Sequence, residues 1–216
     1  MATLPIFLEN HQEGSFLIRS CRHGPKVIET KAGEIIKIFY PKNRLSSTMY
    51  YPYAERFRKN AHQLSRLAFN VPLIKSFYFC ERTKIHMLSY EKLPGEDVCL
   101  LVHEGNSDIL YDVIGYVKIL HEKGVLFRAI HLSNLLCQGE KKFALVDIAD
   151  VKIQRRSLSL YQRYRNLKHL FLYGEDRNKW EERGIINWLE YYCDIANLNF
   201  FARKILIKYF RYRHLR

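Results

Sequence analysis

The apolar residues of this chain change their spacing partway along it, and that change limits the folds open to it. Three early runs, SFLIRS, PKVIET and GEIIKIFY, lie between tight turns around His23-Gly24-Pro25 and Lys31-Ala32-Gly33. They read as strands. Over residues 53–69 the repeat becomes helical, with Phe57, Ala61, Leu64 and Ala68 on one side and Arg56, Lys59 and Arg66 elsewhere. Two further short strands, SFYFCE and KIHMLSY, precede a turn at Leu93-Pro94-Gly95. A second helix is predicted over 107–121, with Ile109, Val113, Val117 and Leu120 inside. LLC and FALVDI, joined by a polar turn at 138–142, read as a hairpin. Beyond it the stripes Leu167, Leu170, Phe171 and Ile185, Trp188, Leu189, Tyr192 are helical. A strand-rich first third followed by a mostly helical remainder implies an α+β chain in two lobes.

Composition narrows the class. The chain has 216 residues, 48% hydrophobic and 14% aromatic, enough to bury a core and too apolar to stay disordered. No uncharged stretch approaches the roughly 18 residues that span a bilayer. Residues 1–10 lack the positive start and long apolar run of a signal peptide. Cys21, Cys80, Cys99, Cys137 and Cys193 are scattered and never form a Cys-x-x-Cys pair, the usage of a reduced, cytoplasmic protein.

The net charge of +13 is unevenly placed: residues 151–216 hold 15 Lys+Arg against 6 Asp+Glu. In the terminal run FFARKILIKYFRYRHLR, Phe201, Ile205 and Tyr209 recur at four-residue spacing, as do Leu206 and Phe210. Together they read as one apolar helical face ringed by Arg203, Lys204, Lys208, Arg211, Arg213 and Arg216. Such a helix either packs with a solvated basic side, lies on an anionic membrane surface, or meets nucleic acid. No helix-turn-helix, RNP or zinc-finger signature supports the last of these.

Three polar placements stand out. Lys37 interrupts Ile35-Ile36-Lys37-Ile38-Phe39, on the face shared with Ile35 and Phe39. Burying an ammonium costs several kcal/mol unless it is paired. Lys37 therefore either snorkels from an edge strand or is aimed at phosphates. Asp147 closes the strand Phe143-Ala144-Leu145-Val146, and Asp150 follows. A carboxylate there holds a metal or simply forms a turn. Asn134, thirteen residues before Asp147, ends the irregular segment Phe127-Arg128-Ala129-Ile130-His131-Leu132-Ser133-Asn134.

In that order the sequence resembles a protein-kinase fold, in particular the small bacterial lipopolysaccharide-kinase family, toluene-tolerance proteins included, that phosphorylates heptose or Kdo of the inner core. Lys37 matches the strand Lys, Asn134 the catalytic-loop Asn and Asp147 the metal-binding Asp. Leu120-His121-Glu122-Lys123-Gly124-Val125 resembles the helix end before that loop, and Tyr90-Glu91-Lys92-Leu93-Pro94-Gly95 the hinge whose backbone meets adenine. The resemblance implies a small antiparallel-sheet lobe with one helix over residues 1–92, and a reduced, mainly helical lobe over 93–216. It implies ATP and Mg²⁺ as cofactors. Lys37, Glu55, Tyr90, Glu91 and Asn134 would serve the nucleotide, Asn134 and Asp147 the metal, and Arg128, His131 and Asp147 the chemistry.

The departures are as informative. The loop reads Phe127-Arg128-Ala129, so Ala129 stands where the proton-accepting Asp belongs. Asp147-Ile148-Ala149 replaces D-F-G, and Ser20-Cys21-Arg22-His23-Gly24-Pro25 replaces the glycine-rich loop. Glu55, eighteen residues after Lys37, is the acidic candidate to pair with it, with Asn60 and Gln63 as rival positions. His131 either substitutes as base or phosphate ligand, or orders the loop. Three functions therefore compete: a sugar kinase acting on lipopolysaccharide core glycolipid, a pseudokinase that binds nucleotide or a partner in envelope assembly, and, on charge alone, a basic nucleic-acid-binding module. On the kinase reading the chain is cytoplasmic and peripheral on the inner membrane, its basic end meeting the anionic surface.

Overall fold

The computed structural model describes residues 16–41 and 52–214, so the segment 1–10 lies outside the described residues. The chain divides into two compact units, Met1–Leu93 and Pro94–Arg216. Unit 1 holds β1 (Phe16–Cys21), β2 (Gly24–Glu29), β3 (Glu34–Phe39), α1 (Tyr53–Arg66), β4 (Ile74–Cys80) and β5 (Ile85–Glu91). The strands form one antiparallel sheet in the order β1-β2-β3-β5-β4. β3 is thus central, paired through Val27↔Lys37 on one side and Lys37↔Leu88 on the other. That corrects the edge-strand option for Lys37, which is buried. Ile28, Ile36, Ile38 and Met87 pack together on the alternate face. α1 turns Ala54, Phe57, Asn60, Ala61 and Leu64 inward. It stops earlier than periodicity predicts: Ala68 has a left-handed φ of 62° and is exposed, so it is no part of the inner stripe.

Unit 2 begins with β6 (Glu96–Asp97) and α2 (Val98–His103), whose first turn is capped by Asp97 accepting from the Cys99 N–H. Next come α3 (Ile109–Glu122), β7 (Val125–Phe127), β8 (Leu135–Cys137), β9 (Phe143–Leu145) and β10 (Val151–Ile153). α3 buries Ile109, Val113, Val117 and Leu120, as the sequence predicts. The expected hairpin is β8–β9, extended by β6 into a three-stranded sheet. β7 pairs with β10 through Phe127↔Val151 and Val125↔Ile153. Before β7, Gly124 has φ +74°, and a Cβ there would overlap the carbonyl oxygens of Gln154 and Arg156. Glycine is required by this close backbone crossing.

Four helices complete unit 2: α4 (Leu160–Leu172), α5 (Arg177–Glu181), α6 (Ile185–Ile195) and α7 (Phe200–His214). α4 opens with a reciprocal capping box between Ser159 and Gln162. Its Leu167, Leu170 and Phe171 are buried, together with Trp180 of α5 and Ile185, Trp188, Leu189 and Tyr192 of α6. α7 separates what the sequence reads as one apolar face. Leu206 and Phe210 are buried, Phe210 edge-on to Tyr164 and Phe171. Phe201, Ile205 and Tyr209 stay exposed. No helix among the described residues is long and apolar enough to cross a membrane.

Candidate functional site

In unit 1, Lys37 sits on the central strand with 4% of its surface exposed. Its Nζ lies 5.0 Å from the Phe57 ring centre and 5.8 Å from that of Phe39. Phe57 also stacks on Tyr90 and meets Phe39 edge-on, so three aromatic rings form one cluster beside the ammonium. Ring faces favour a cation in such a site. Tyr90 is buried on β5, while Glu91, at the strand's exposed end, is 2.9 Å from Lys75. Glu55 lies in the first turn of α1, and its carboxylate is 2.9 Å from the Arg58 guanidinium. Asn60, not Glu55, is the polar residue of α1 on the buried side.

In unit 2, the loop between β7 and β8 is held from several directions. Arg128 donates a 2.8 Å hydrogen bond to the Asp150 carboxylate, and its backbone N–H donates to the Asp150 carbonyl. Asn134 donates through Nδ2 to the Ala129 carbonyl at 2.8 Å, folding the loop back on itself at Ala129. Its own carbonyl accepts from the Val146 N–H at 3.0 Å, which brings Asn134 beside the end of β9 and hence toward Asp147. Asp147 has φ 53° and ψ 42° and leads into a short 3-10 turn, Ile148–Asp150. The left-handed conformation is uncommon outside glycine, and Asp is among the residues that tolerate it.

Asn134 is 2% exposed, and its Oδ1 is fully buried with no hydrogen-bond partner. An amide oxygen left unsatisfied in this way costs free energy unless something external engages it. Oxygen donors from an Asn and an Asp are the hard ligands that suit Mg²⁺. The residues present fit that ion. Among the described residues no cluster of three or more His, Cys, Asp or Glu offers another metal site.

Further residues, unmarked by any sequence motif, position the loop. Asn166 on α4 donates to the Phe127 carbonyl at 2.6 Å, and Asp176 accepts from the Leu132 N–H at 2.7 Å. His169 Nδ1 is 2.8 Å from the Ile130 carbonyl, so that nitrogen carries the proton. The His131 ring stacks on Tyr173 at 4.3 Å with an 8° tilt, and His169 flanks the same tyrosine. Asp176 is 1% exposed; burial raises its pKa, and the Leu132 N–H opposes that rise. The available signal was polar residues, Asn166 and His169, placed next to the apolar stripe of α4.

The architecture, an antiparallel-sheet unit with one helix followed by a mainly helical unit, is a protein-kinase-like α+β fold. The chain superimposes on an aminoglycoside-3′-phosphotransferase of type VIII with a TM-score of 0.63 at 10% identity, over 89% of this chain and 91% of that one. It matches aminoglycoside phosphotransferase APH(3″)-Id from Streptomyces rimosus at 0.58 and 11% identity, covering 84% and 86% of the two chains. The bifunctional kinase-methyltransferase WbdD matches at 0.51 and 14% identity; 85% of this chain aligns, spanning only 41% of that protein. No protein-family model matches the chain, and no curated protein matches it by sequence.

Proposed function

We propose that this chain is an ATP- and Mg²⁺-dependent kinase-like enzyme that phosphorylates a sugar hydroxyl of the lipopolysaccharide inner core. The observation that carries the reading is the buried, unsatisfied Oδ1 of Asn134, tied by backbone to the segment that sets Asp147 in a left-handed turn. Asn134 and Asp147 would hold magnesium, which when bound offsets charge on the transferred phosphoryl group. Lys37, kept on a central strand at the cost of burial, would meet the nucleotide's phosphates. Arg128 fixes the loop through Asp150, and His131 orders it through Tyr173. The neighbouring structures named as phosphotransferases and as a kinase-methyltransferase support the class of reaction, and the sequence resemblance supports the core sugar.

Ala129 supplies no carboxylate to position the acceptor hydroxyl, a loss of about 10²–10⁴-fold in general-base catalysis. Because phosphoryl transfer is largely dissociative, positioning and charge neutralisation can still carry the reaction. The acceptor oxygen bonds to the γ-phosphorus as the bond to the ADP oxygen breaks, and the hydroxyl proton leaves to solvent late in the transfer. Ala129 is also the specific observation that favours the second reading, a pseudokinase that binds nucleotide without turning it over.

Thermal unfolding with ATP, with and without Mg²⁺, tests the site. At about 100-fold over Kd, ligand should add about 2.7 kcal/mol, a rise of roughly 5–10 °C. Asp147→Ala should abolish the Mg²⁺-dependent part. No such stabilisation in the wild type sinks the magnesium-nucleotide site. Stabilisation without phosphate transfer to core glycolipid hands the chain to the pseudokinase reading. Transfer that rises on Ala129→Asp confirms an active but handicapped loop.

A further inference from the structure

α7 presents an outward face that takes no part in the candidate nucleotide and magnesium site. Phe200, Phe201 and Ile205 are 62%, 75% and 46% exposed. Exposed Lys204, Lys208 and Arg211 alternate with them along the same helix, and Lys204 Nζ lies 4.3 Å from the Phe200 ring centre. Leu206 and Phe210 are buried, Phe210 against Tyr164 of α4, which leaves Phe200, Phe201 and Ile205 uncovered. α7 contains no acidic residue. Beside it α6 contributes Glu190 to an open groove lined also by Phe200, Ile207, Lys204, Lys208 and Arg211, while Asp194 is ion-paired to Arg203.

We infer that this face docks on an anionic phospholipid bilayer, with Phe200, Phe201 and Ile205 entering the headgroup–acyl boundary and Lys204, Lys208 and Arg211 meeting lipid phosphates. Cations interleaved with large apolar side chains on a helix lying flat are what such an interface accommodates. A second copy of this chain is a poor occupant, because the same three cations would face one another. A nucleic acid would meet the cations and could stack on Phe200 and Phe201, but it leaves Ile205 without the apolar partner that a bilayer supplies. The inference concerns a surface of α7 and stands whether or not the chain transfers phosphate.

The test is partition of the purified full chain onto vesicles of phosphatidylcholine alone and of phosphatidylcholine with phosphatidylglycerol. The wild type should bind the anionic vesicles, ignore the neutral ones, and come off as salt is raised. The Lys204→Ser/Lys208→Ser/Arg211→Ser variant should bind on the order of 100-fold more weakly, since each charge near the surface contributes about fivefold. Phe201→Ser/Ile205→Ser should also weaken binding, and the wild-type comparison of the two vesicle types needs no variant to fold. Equal binding to both vesicles, or none to either, overturns the inference. So does a single-stranded oligonucleotide that binds while vesicles do not, or a dimer that the triple variant dissolves without any vesicle binding.

Discussion

At His121 a direction of proton donation can be followed through the buried centre of unit 2. Asn166 donates its NH₂ to the Phe127 carbonyl, so its Oδ1 faces His121 Nε2 at 2.8 Å and that nitrogen carries the proton. His121 Nδ1 then accepts from the Tyr192 hydroxyl at 2.7 Å, and Tyr192 accepts from Arg163 at 3.1 Å. The ring is fully buried, and burial holds its pKa down to about 3, with the Asn166 hydrogen bond opposing and the Arg163 charge assisting. An unfolded histidine titrates near 6.5. Between those values the unfolded chain binds a proton that the folded chain refuses. This contribution is therefore complete above about pH 6.5 and shrinks as pH falls toward 3, by about 1.4 kcal/mol per pH unit. Denaturation curves between pH 6 and 4 should show that slope, and His121→Gln should flatten it. Residues of this kind differ in how far sequence reveals them. Lys37 was visible because an ammonium contradicts an apolar strand, and Asn134 and Asp147 because their spacing is distinctive. Asn166 and Asp176 were not, because they serve backbone groups 39 and 44 residues away.

Among the elements, length decided most of what could be foreseen, the three-residue β8 and β9 being legible through the polar turn between them. Strands of six or seven residues, and α3 with fourteen, display a full repeat of their pattern and were legible. β6, α2, β7 and β10 run from two to six residues, too short for any repeat to emerge, and only pairing or capping reveals them. α7 shows a different limit. Its two apolar rows are alike by spacing, and only burial separates them: Tyr164 of α4 meets both Phe210 and Tyr209, but Leu206 and Phe210 are fully buried while Phe201, Ile205 and Tyr209 are not. Phe210→Ala should accordingly cost about 3–5 kcal/mol of unfolding free energy, while Phe201→Ala should change it by about 0.5 kcal/mol or less. Urea denaturation of the two variants reads that contrast directly. An equal loss in both would mean that the outward row is also part of the fold.

For the molecule as a whole, the α+β division into a strand-rich and a helical part was readable from period alone, and Arg128 was readable as a residue that orders the loop, whereas Asn166, His169 and Asp176, which fasten it from α4 and beyond, were not. The antiparallel pairing of β7 with β10 has a consequence for how unit 2 fluctuates. Residues 128–150, which contain Arg128, His131, Asn134 and Asp147, form a loop tied at its base by that pairing and braced by Gly124 against the 154–156 backbone. Releasing the base would lengthen the open loop and loosen the bonds within it, whereas losing one interior bond leaves the ends joined. Hydrogen exchange followed residue by residue should therefore find the backbone amides of Arg128, Leu132, Asn134 and Val146 opening with a common free energy, as one cooperative unit. Amides that exchange at unrelated rates would show the segment to be a string of independent contacts. A loop with a single opening event has two states and few between them. Its slow breathing, more than any static distance, would then set how often Asn134 and Asp147 become accessible together.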